Sequence, residues 1–239
     1  MGKVIVIVSG KGGVGKTMFT ANLGGTLSQN GKKVVLVDMD MGLRNLDICM
    51  GLENRVVYDI ADVINGVCRI KQALIKDKRF PDLYLIAAPQ NMEKVEMTPL
   101  HTKIIYEKLS ETFDYVIVDG PAGIDEGMKN AISGADMAII VTTPEFAALR
   151  DADKVDKILI ENGLTNRKIV VNKLKAELIS NGVLPSITEV SKILRADIIG
   201  YIQEDDNIQI ATNNGTPIVL KTSTYIYDNF MKIIERIQF

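Results

Sequence analysis

The sequence is poor in the residues that build most metal, nucleophilic and disulfide sites. Its 239 residues include one histidine, two cysteines and no tryptophan. The single histidine, His101, argues against a histidine-rich zinc site and against a histidine-based catalytic triad. The two cysteines, Cys49 and Cys68, exclude a disulfide framework and are typical of a protein kept in a reducing compartment.

Long hydrophobic runs and an excess of positive charge are also missing. No apolar run approaches the roughly 18 residues that a membrane-spanning helix requires, and the apolar run at 4–8 is too short for a secretory signal. Lys and Arg number 28 against 30 Asp and Glu, a formal net charge of −2, so no global positive field points to nucleic acid. We therefore expect a cytoplasmic protein with no specific nucleic-acid partner, and leave open a peripheral position on the inner face of the cell membrane.

Short apolar runs alternate with longer helical patterns along the chain. The runs are continuous rather than alternating, which is typical of strands buried on both faces of a parallel sheet. This alternation predicts a doubly wound α/β fold, with a mostly parallel sheet flanked by helices. We expect a single domain over residues 1–239, with a charged surface loop at 76–82. The predicted strands are 4–8, 34–37, 83–87, 115–118, 137–141, 169–171 and 198–202, and the predicted helices are 16–29, 100–112, 146–161, 187–194 and 225–237.

A glycine-rich loop follows the first predicted strand and leads into a helix. It reads Gly10-Lys11-Gly12-Gly13-Val14-Gly15-Lys16-Thr17, the pattern of a phosphate-binding loop in its required context. Glycines allow successive N–H groups to point at one anion, and the helix N-terminus adds free donors. Lys16 would neutralise β- and γ-phosphate charge, and the Thr17 hydroxyl would bind Mg²⁺. Lys11 is either a surface lysine or a charge aimed at the nucleotide of a neighbouring subunit.

Acidic residues end two of the predicted strands. Asp38 and Asp40 follow the run at 34–37, and Asp119 follows the run at 115–118. A strand-ending aspartate beside a phosphate loop is predicted to hold Mg²⁺ through a water, which is the role of Asp119. Asp40 is expected to orient or deprotonate the attacking water and is a second candidate metal ligand. Asp38 either supports the same site or caps the loop.

The phosphate loop also carries the signature of a particular ATPase family. A lysine at Lys11 in addition to Lys16 is the deviant Walker A motif, and on it the chain resembles the ParA/MinD family of SIMIBI-class P-loop ATPases. Further segments resemble the septum-positioning branch of that family, and they extend the resemblance over essentially the whole chain. These segments are residues 42–47, 55–59, 72–79, 121–123 and 150–153.

The resemblance implies a switch ATPase that uses ATP and Mg²⁺. Two copies would form a homodimer when ATP is bound, with Lys11 of each subunit reaching the other's nucleotide, so that Lys11, Lys16 and Asp40 form the catalytic set. The dimer would bind the inner membrane surface, recruit a MinC-like division inhibitor and respond to a MinE-like or topological-substitute regulator. Hydrolysis, weak alone and stimulated by a partner, would return it to a cytosolic monomer. The partner-contacting residues implied by the resemblance are Arg44, Asn45, Arg150, Asp151 and Asp153.

The base side of the nucleotide site is predicted from three places in the chain. Asn172 follows the run at 169–171 and would hydrogen-bond the adenine edge, or serve as a turn residue. The segment Ile202-Gln203-Glu204-Asp205 stands where the family often has Ile-Pro-Glu-Asp, and Gln203 in place of proline would loosen that loop. Met18 stands where the family usually has Thr or Ser, so a secondary hydroxyl contact is missing.

The helical pattern at the end of the sequence is amphipathic but electrically neutral. Its charged residues, Asp228, Lys232, Glu235 and Arg236, sum to zero. A membrane-surface helix normally has a basic polar face, because anionic lipid attracts each Lys or Arg by about 1 kcal/mol. We therefore expect residues 225–239 to pack on the sheet, and autonomous binding to an anionic membrane to be weak or absent.

Three other functions fit parts of the sequence. A ParA-type partitioning or other cargo-positioning ATPase would bind DNA through a basic patch, which the net charge of −2 does not favour. An iron–sulfur reductase of the nitrogenase iron-protein type would need cysteines near Asp119 or Arg150, and Cys49 and Cys68 are elsewhere in the sequence. A scaffold that binds nucleotide without hydrolysis is not favoured, since the candidate catalytic residues are present.

Overall fold

A computed structural model describes residues 1–90 and 97–237. In these residues the chain forms eight strands and eleven α-helices. The strands are β1 (Lys3–Ser9), β2 (Val34–Asp38), β3 (Ile75–Asp77), β4 (Leu83–Ile86), β5 (Tyr115–Ala122), β6 (Met137–Thr142), β7 (Arg167–Leu174) and β8 (Asp197–Gln203). The helices are α1 (Lys16–Gln29), α2 (Leu46–Cys49), α3 (Ile60–Ile64), α4 (Ile70–Ala73), α5 (Pro99–Ser110), α6 (Glu126–Ile132), α7 (Phe146–Glu161), α8 (Ala176–Ser180), α9 (Ile187–Ile193), α10 (Asp206–Asn213) and α11 (Tyr225–Ile237).

All the strands lie in one sheet, in the order β3-β4-β2-β5-β1-β6-β7-β8. Neighbours are parallel except at one edge, where β3 runs antiparallel to β4. This confirms the prediction of a doubly wound, mostly parallel sheet. Because β2, β5 and β1 are adjacent, the loops that follow them emerge side by side at the carboxyl ends of the strands.

The edge strand β3 corrects the expectation of a surface loop at 76–82. Residues 75–77 pair with β4, and the Asp77 side chain is buried. Asp77 can be buried because Arg79 turns back to it, with Arg79 Nη2 at 2.6 Å from Asp77 Oδ2. Arg79 also donates to the carbonyl of Gly215 at 2.8 Å, so the charged segment is tied to the body of the protein.

Alternate side chains of each strand enter two separate cores, one on each face of the sheet. In β1, Ile5 and Ile7 pack on the face covered by α1 and α11, whereas Val6 and Val8 pack on the face covered by α5, α6 and α7. A strand with helices on both of its faces has no solvent-facing positions. This is why the strands read as continuous apolar runs in the sequence.

Helix α11 packs on the first of these faces. Its buried residues are Ile226, Phe230, Ile233 and Ile237, and the Phe230 ring stacks on Phe19 with the ring centroids 5.5 Å apart. Residues 238–239 of the predicted 225–239 segment lie outside the described residues. Within the part of the chain that the structure describes, no helix is both long enough and apolar enough to cross a membrane.

Candidate nucleotide-binding site

The loop between β1 and α1 has the backbone shape of an anion cradle. Gly13 and Gly15 have φ angles of 79° and 92°, in the region that favours glycine. A Cβ at Gly15 would lie 2.2 Å from Asn172 Nδ2, whereas a Cβ at Gly12 would meet nothing within 4 Å. One side of the loop is therefore pressed against the protein, and the other is open to a ligand.

A buried carboxylate lies directly beneath this loop. Asp119, in β5, is fully buried and its Oδ1 accepts hydrogen bonds from Lys16 Nζ at 2.9 Å and from Thr20 Oγ1 at 2.9 Å. Its Oδ2 accepts from Thr17 Oγ1 at 2.7 Å. A buried carboxylate is stable only when it is paired and hydrogen-bonded. These contacts therefore fix the first turn of α1 against the end of β5.

Thr20 is a site residue that the sequence analysis missed. Its hydroxyl contacts the same carboxylate oxygen as Lys16. The only signal in the sequence is its spacing, because residues at i and i+3 of a helix, here Thr17 and Thr20, lie on the same face. The phosphate-loop pattern ends at Thr17 and does not include it.

Asp38 supports the loop that carries Asp40. It is fully buried and accepts hydrogen bonds from the backbone N–H groups of Asp40 at 2.9 Å and Leu46 at 3.2 Å. Burial, together with the charge of the neighbouring Asp119, raises the pKa of Asp38 to about 8. Its hydrogen bonds to two backbone N–H groups make Asp38 a brace for the loop and for the start of α2.

Asp40 lies at the open side of the same cluster. It is half-buried, and its pKa is raised above the ordinary value, mainly because burial disfavours the charged form. The charge of Asp119 adds to this rise, and the charge of Lys16 opposes it. The cluster thus offers the carboxylates of Asp40 and Asp119 and the hydroxyl of Thr17 beside a lysine. Oxygen donors of this kind are those that Mg²⁺ prefers, and the lysine suits a phosphate, so the residues present fit a magnesium nucleotide.

Two residues near the end of β7 brace the phosphate loop from the other side. Asn172 Nδ2 donates to the carbonyl of Val14 at 2.8 Å, and Lys173 Nζ donates to the carbonyl of Gly13 at 2.8 Å. Lys173 has φ 55°, an uncommon value for a residue with a side chain. One of the two N–H donors of the Asn172 amide therefore holds the loop.

A cavity of about 240 Å³ adjoins the loop on its base side. Met18, Asn172, Gln203 and Asp205, which the sequence analysis assigned to the nucleotide site, line it, whereas the Ile202 side chain is fully buried in the core beneath α11. The reason is the alternation of β8, which sends neighbouring residues to opposite faces. Residues that the sequence analysis did not select include Lys173, Ile208, Gln209, Thr212 and Asn213.

The predicted partner-contacting residues fall in two places. Arg44 is mostly buried and pairs with Asp47, with Nε at 2.6 Å from Oδ2, whereas the neighbouring Asn45 is exposed. On α7, Arg150 is exposed.

Asp151 and Asp153, which follow on α7, are less exposed than Arg150. Asp151 packs so tightly on Gly10 that a Cβ there would lie 2.7 Å from it. Asp153 pairs with Lys157 at 2.7 Å and lies 3.4 Å from Arg195 Nε. The second turn of α7 therefore abuts the phosphate loop.

Known proteins resemble this chain in sequence along most of its length. A family model described as an AAA domain matches residues 2–169. The septum site-determining protein MinD of Bacillus subtilis (strain 168) is 48% identical over 239 residues, which cover 99% of this chain and 89% of that protein. The chain belongs to the MinD family of ATPases.

Solved structures of MinD-family proteins have the same fold. A chain in the MinC:MinD cell division protein complex of Aquifex aeolicus is 44% identical, with a TM-score of 0.88 over 98% of this chain and 95% of that one. The septum site-determining protein MinD of Pyrococcus horikoshii OT3, complexed with Mg-ADP, is 28% identical, with a TM-score of 0.89 over 100% of this chain and 96% of that one. The predicted P-loop ATPase fold and the ParA/MinD resemblance are confirmed.

Substitutions of two loop glycines should separate the closed and open sides of the cradle. Gly15→Ala places a methyl group against Asn172 and forces a φ that alanine disfavours, and we expect it to lower the free energy of unfolding by about 1–3 kcal/mol. Gly12→Ala meets open space, and we expect a change within about 0.5 kcal/mol. Urea denaturation of the three proteins measures this, and equal stabilities would contradict the described loop.

Proposed function

We propose that this chain is an ATP-dependent dimerising switch ATPase that positions the cell-division septum, recruits a MinC-like division inhibitor and cycles on and off the inner membrane surface. The observation that carries the proposal is the convergence of Lys16, Thr17 and Thr20 on the buried Asp119 in a member of the MinD family. Relatives whose structures contain MinC or Mg-ADP support the choice of partner and ligand.

The chemistry proposed for the site is hydrolysis of the γ-phosphate. Such a reaction needs positioning and charge neutralisation more than covalent chemistry. The Lys16 ammonium has three donors, so contacts with Asp119 and with the phosphates are compatible. Thr17 and Asp119, the latter through a water, would hold Mg²⁺, which neutralises phosphate charge when bound. Asp40 would orient or deprotonate the attacking water and is a further candidate ligand for the ion.

Dimerisation is supported by what surrounds the phosphate loop. Lys11 is exposed, as a residue must be if it is to reach a second subunit. Apolar side chains are exposed on segments that follow three strands at the same edge of the sheet: Leu43 is 67% exposed, Ile124 45% and Phe146 64%. Apolar groups that ring a polar site are typical of an interaction surface. We infer that a second copy covers this edge when ATP is bound.

The residues proposed to contact partners lie on the same side of the molecule as the phosphate loop. The exposed Arg150 with Asp151 and Asp153 on α7, and Asn45 with Arg44 at the start of α2, are proposed to contact the MinC-like inhibitor. Because α7 abuts the phosphate loop at Gly10, a partner bound there would be sensitive to the nucleotide. A MinE-like or topological-substitute regulator would stimulate hydrolysis, which we propose to be weak without it.

Replacement of Lys11 tests the dimerising switch. Lys11→Ala should still bind Mg·ADP but should not dimerise with ATP, and its partner-stimulated hydrolysis should fall by about a thousandfold or more, as expected when a charge supplied in trans is removed. Light scattering with ATP or ADP and a phosphate-release assay measure these effects.

Two further variants complete that experiment. Lys32→Ala removes an exposed lysine that precedes β2, at the amino ends of the strands and away from the phosphate loop. This variant should behave as the wild type. Lys16→Ala should lose nucleotide binding altogether. A Lys11→Ala protein that dimerises and hydrolyses normally would show that the switch is wrong, even if the chain binds ATP.

Vesicle binding tests whether the chain reaches the membrane surface alone or, as we propose, only with a partner that supplies the membrane contact. We expect the 239-residue chain to cosediment weakly or not at all with anionic vesicles in ATP, in ADP or without nucleotide, because the polar face of α11 is neutral. Changing the exposed Asp228 and Glu235 to lysine makes that face basic and should raise binding, at about 1 kcal/mol for each lysine added. Strong ATP-specific binding of the wild type that is lost in Lys16→Ala would contradict this expectation.

A further inference from the structure

A hydrogen bond joins the start of α11 to the base side of the nucleotide site. The Tyr225 hydroxyl donates to Asp205 Oδ2, and Asp205 also lines the base-side cavity. Burial and this bond raise the pKa of Tyr225 to about 12, and the same bond lowers the pKa of Asp205. The two side chains therefore form a charge-assisted pair, which is stronger than a neutral hydrogen bond.

The other oxygen of Asp205 sets the beginning of α10. Asp205 Oδ1 accepts from the backbone N–H of Asn207 at 2.7 Å and from Asn207 Nδ2 at 2.8 Å, which makes Asp205 the N-cap of that helix. Residues of α10, among them Ile208 and Thr212, form one wall of the cavity. The position of Asp205 thus determines where this wall begins.

The segment that leads into Asp205 is held by a backbone hydrogen bond and an ion pair rather than by a proline. Residue 203 is glutamine, so no pyrrolidine ring fixes its φ. The Glu204 N–H donates to the carbonyl of Leu174 at 3.0 Å, and the Glu204 carboxylate pairs with Lys175 at 2.6 Å. These contacts hold Glu204 toward β7, whereas the Tyr225 bond holds Asp205 toward α11.

We propose that Tyr225 is a positioning residue for the nucleotide base, because its hydroxyl fixes Asp205 and through it the α10 wall of the base-side cavity. This inference rests on the proposed ATP-binding function. It predicts that the tyrosine hydroxyl contributes to recognition of the base and contributes nothing to recognition of the phosphates, for which Lys16 and the glycine loop are proposed.

Calorimetry with two ligands tests the proposal. For Tyr225→Phe we expect the Kd for Mg·ADP to rise about fivefold, the effect of losing one hydrogen bond, and the preference for ADP over GDP to fall. The Kd for magnesium pyrophosphate, which has no base, should not change. ADP is used because it avoids hydrolysis.

Tyr227→Phe is the matched control. Tyr227 lies on the same helix, and its hydroxyl accepts from Asn30 Nδ2 at 3.3 Å, away from the cavity. We expect this variant to bind both ligands like the wild type. Asp205→Ala completes a double-mutant cycle: if Tyr225 acts through Asp205, adding Tyr225→Phe to Asp205→Ala should not weaken ADP binding further.

The outcomes distinguish this inference from the function on which it rests. Unchanged ADP binding by Tyr225→Phe, or equal losses for ADP and pyrophosphate, would overturn the positioning role while leaving nucleotide binding intact. Additive losses in the cycle would also overturn it, because Tyr225 would then act by another route. A wild-type chain that binds neither ligand would refute the proposed ATP-binding function itself.

Discussion

The site depends on one buried carboxylate that has to be satisfied. Asp119 is removed from water, and a charge in that position destabilises the fold unless cations and hydroxyls surround it. Lys16, Thr17 and Thr20 do so, and all three come from the first turns of α1. The requirement to pair Asp119 therefore sets where the helix begins, and with it the direction in which the phosphate loop presents its N–H groups.

The remaining parts of the site are held in position relative to Asp119 and the start of α1. Asp38 lies next to Asp119 across the β2–β5 ladder and holds the loop of Asp40 by backbone hydrogen bonds. Asn172 holds the phosphate loop from the opposite side. Most supports are thus buried contacts from strand ends, whereas the Tyr225–Asp205 bond, which we propose to position the base-side wall, is more exposed. A site of this construction offers the proposed phosphate ligand a platform of buried contacts and leaves the base side open to adjustment.

The sequence predicted what is local and repetitive. Continuous apolar runs identified the parallel strands, and the phosphate-loop pattern identified the residues from Gly10 to Thr17, because both signals lie within a few consecutive residues. It did not predict β3, whose Asp77 is buried only because Arg79 and a distant carbonyl satisfy it. It placed Ile202 at the nucleotide site beside Gln203, whereas the Ile202 side chain is buried in the core, because a motif does not specify which face of β8 a residue takes. Tyr225 escaped notice because its partner is 20 residues away and no pattern links them.

The Mg²⁺ dependence of ADP binding by Asp119→Asn tests the central claim most directly. Calorimetry in magnesium and in EDTA should show tighter binding with magnesium for the wild type, and for Asp114→Asn, which changes an exposed aspartate at the other end of the strand. In Asp119→Asn we predict that the benefit of magnesium falls by about tenfold or more, as when a residue that supports a metal is lost. A folded Asp119→Asn protein with the full magnesium effect would contradict the account.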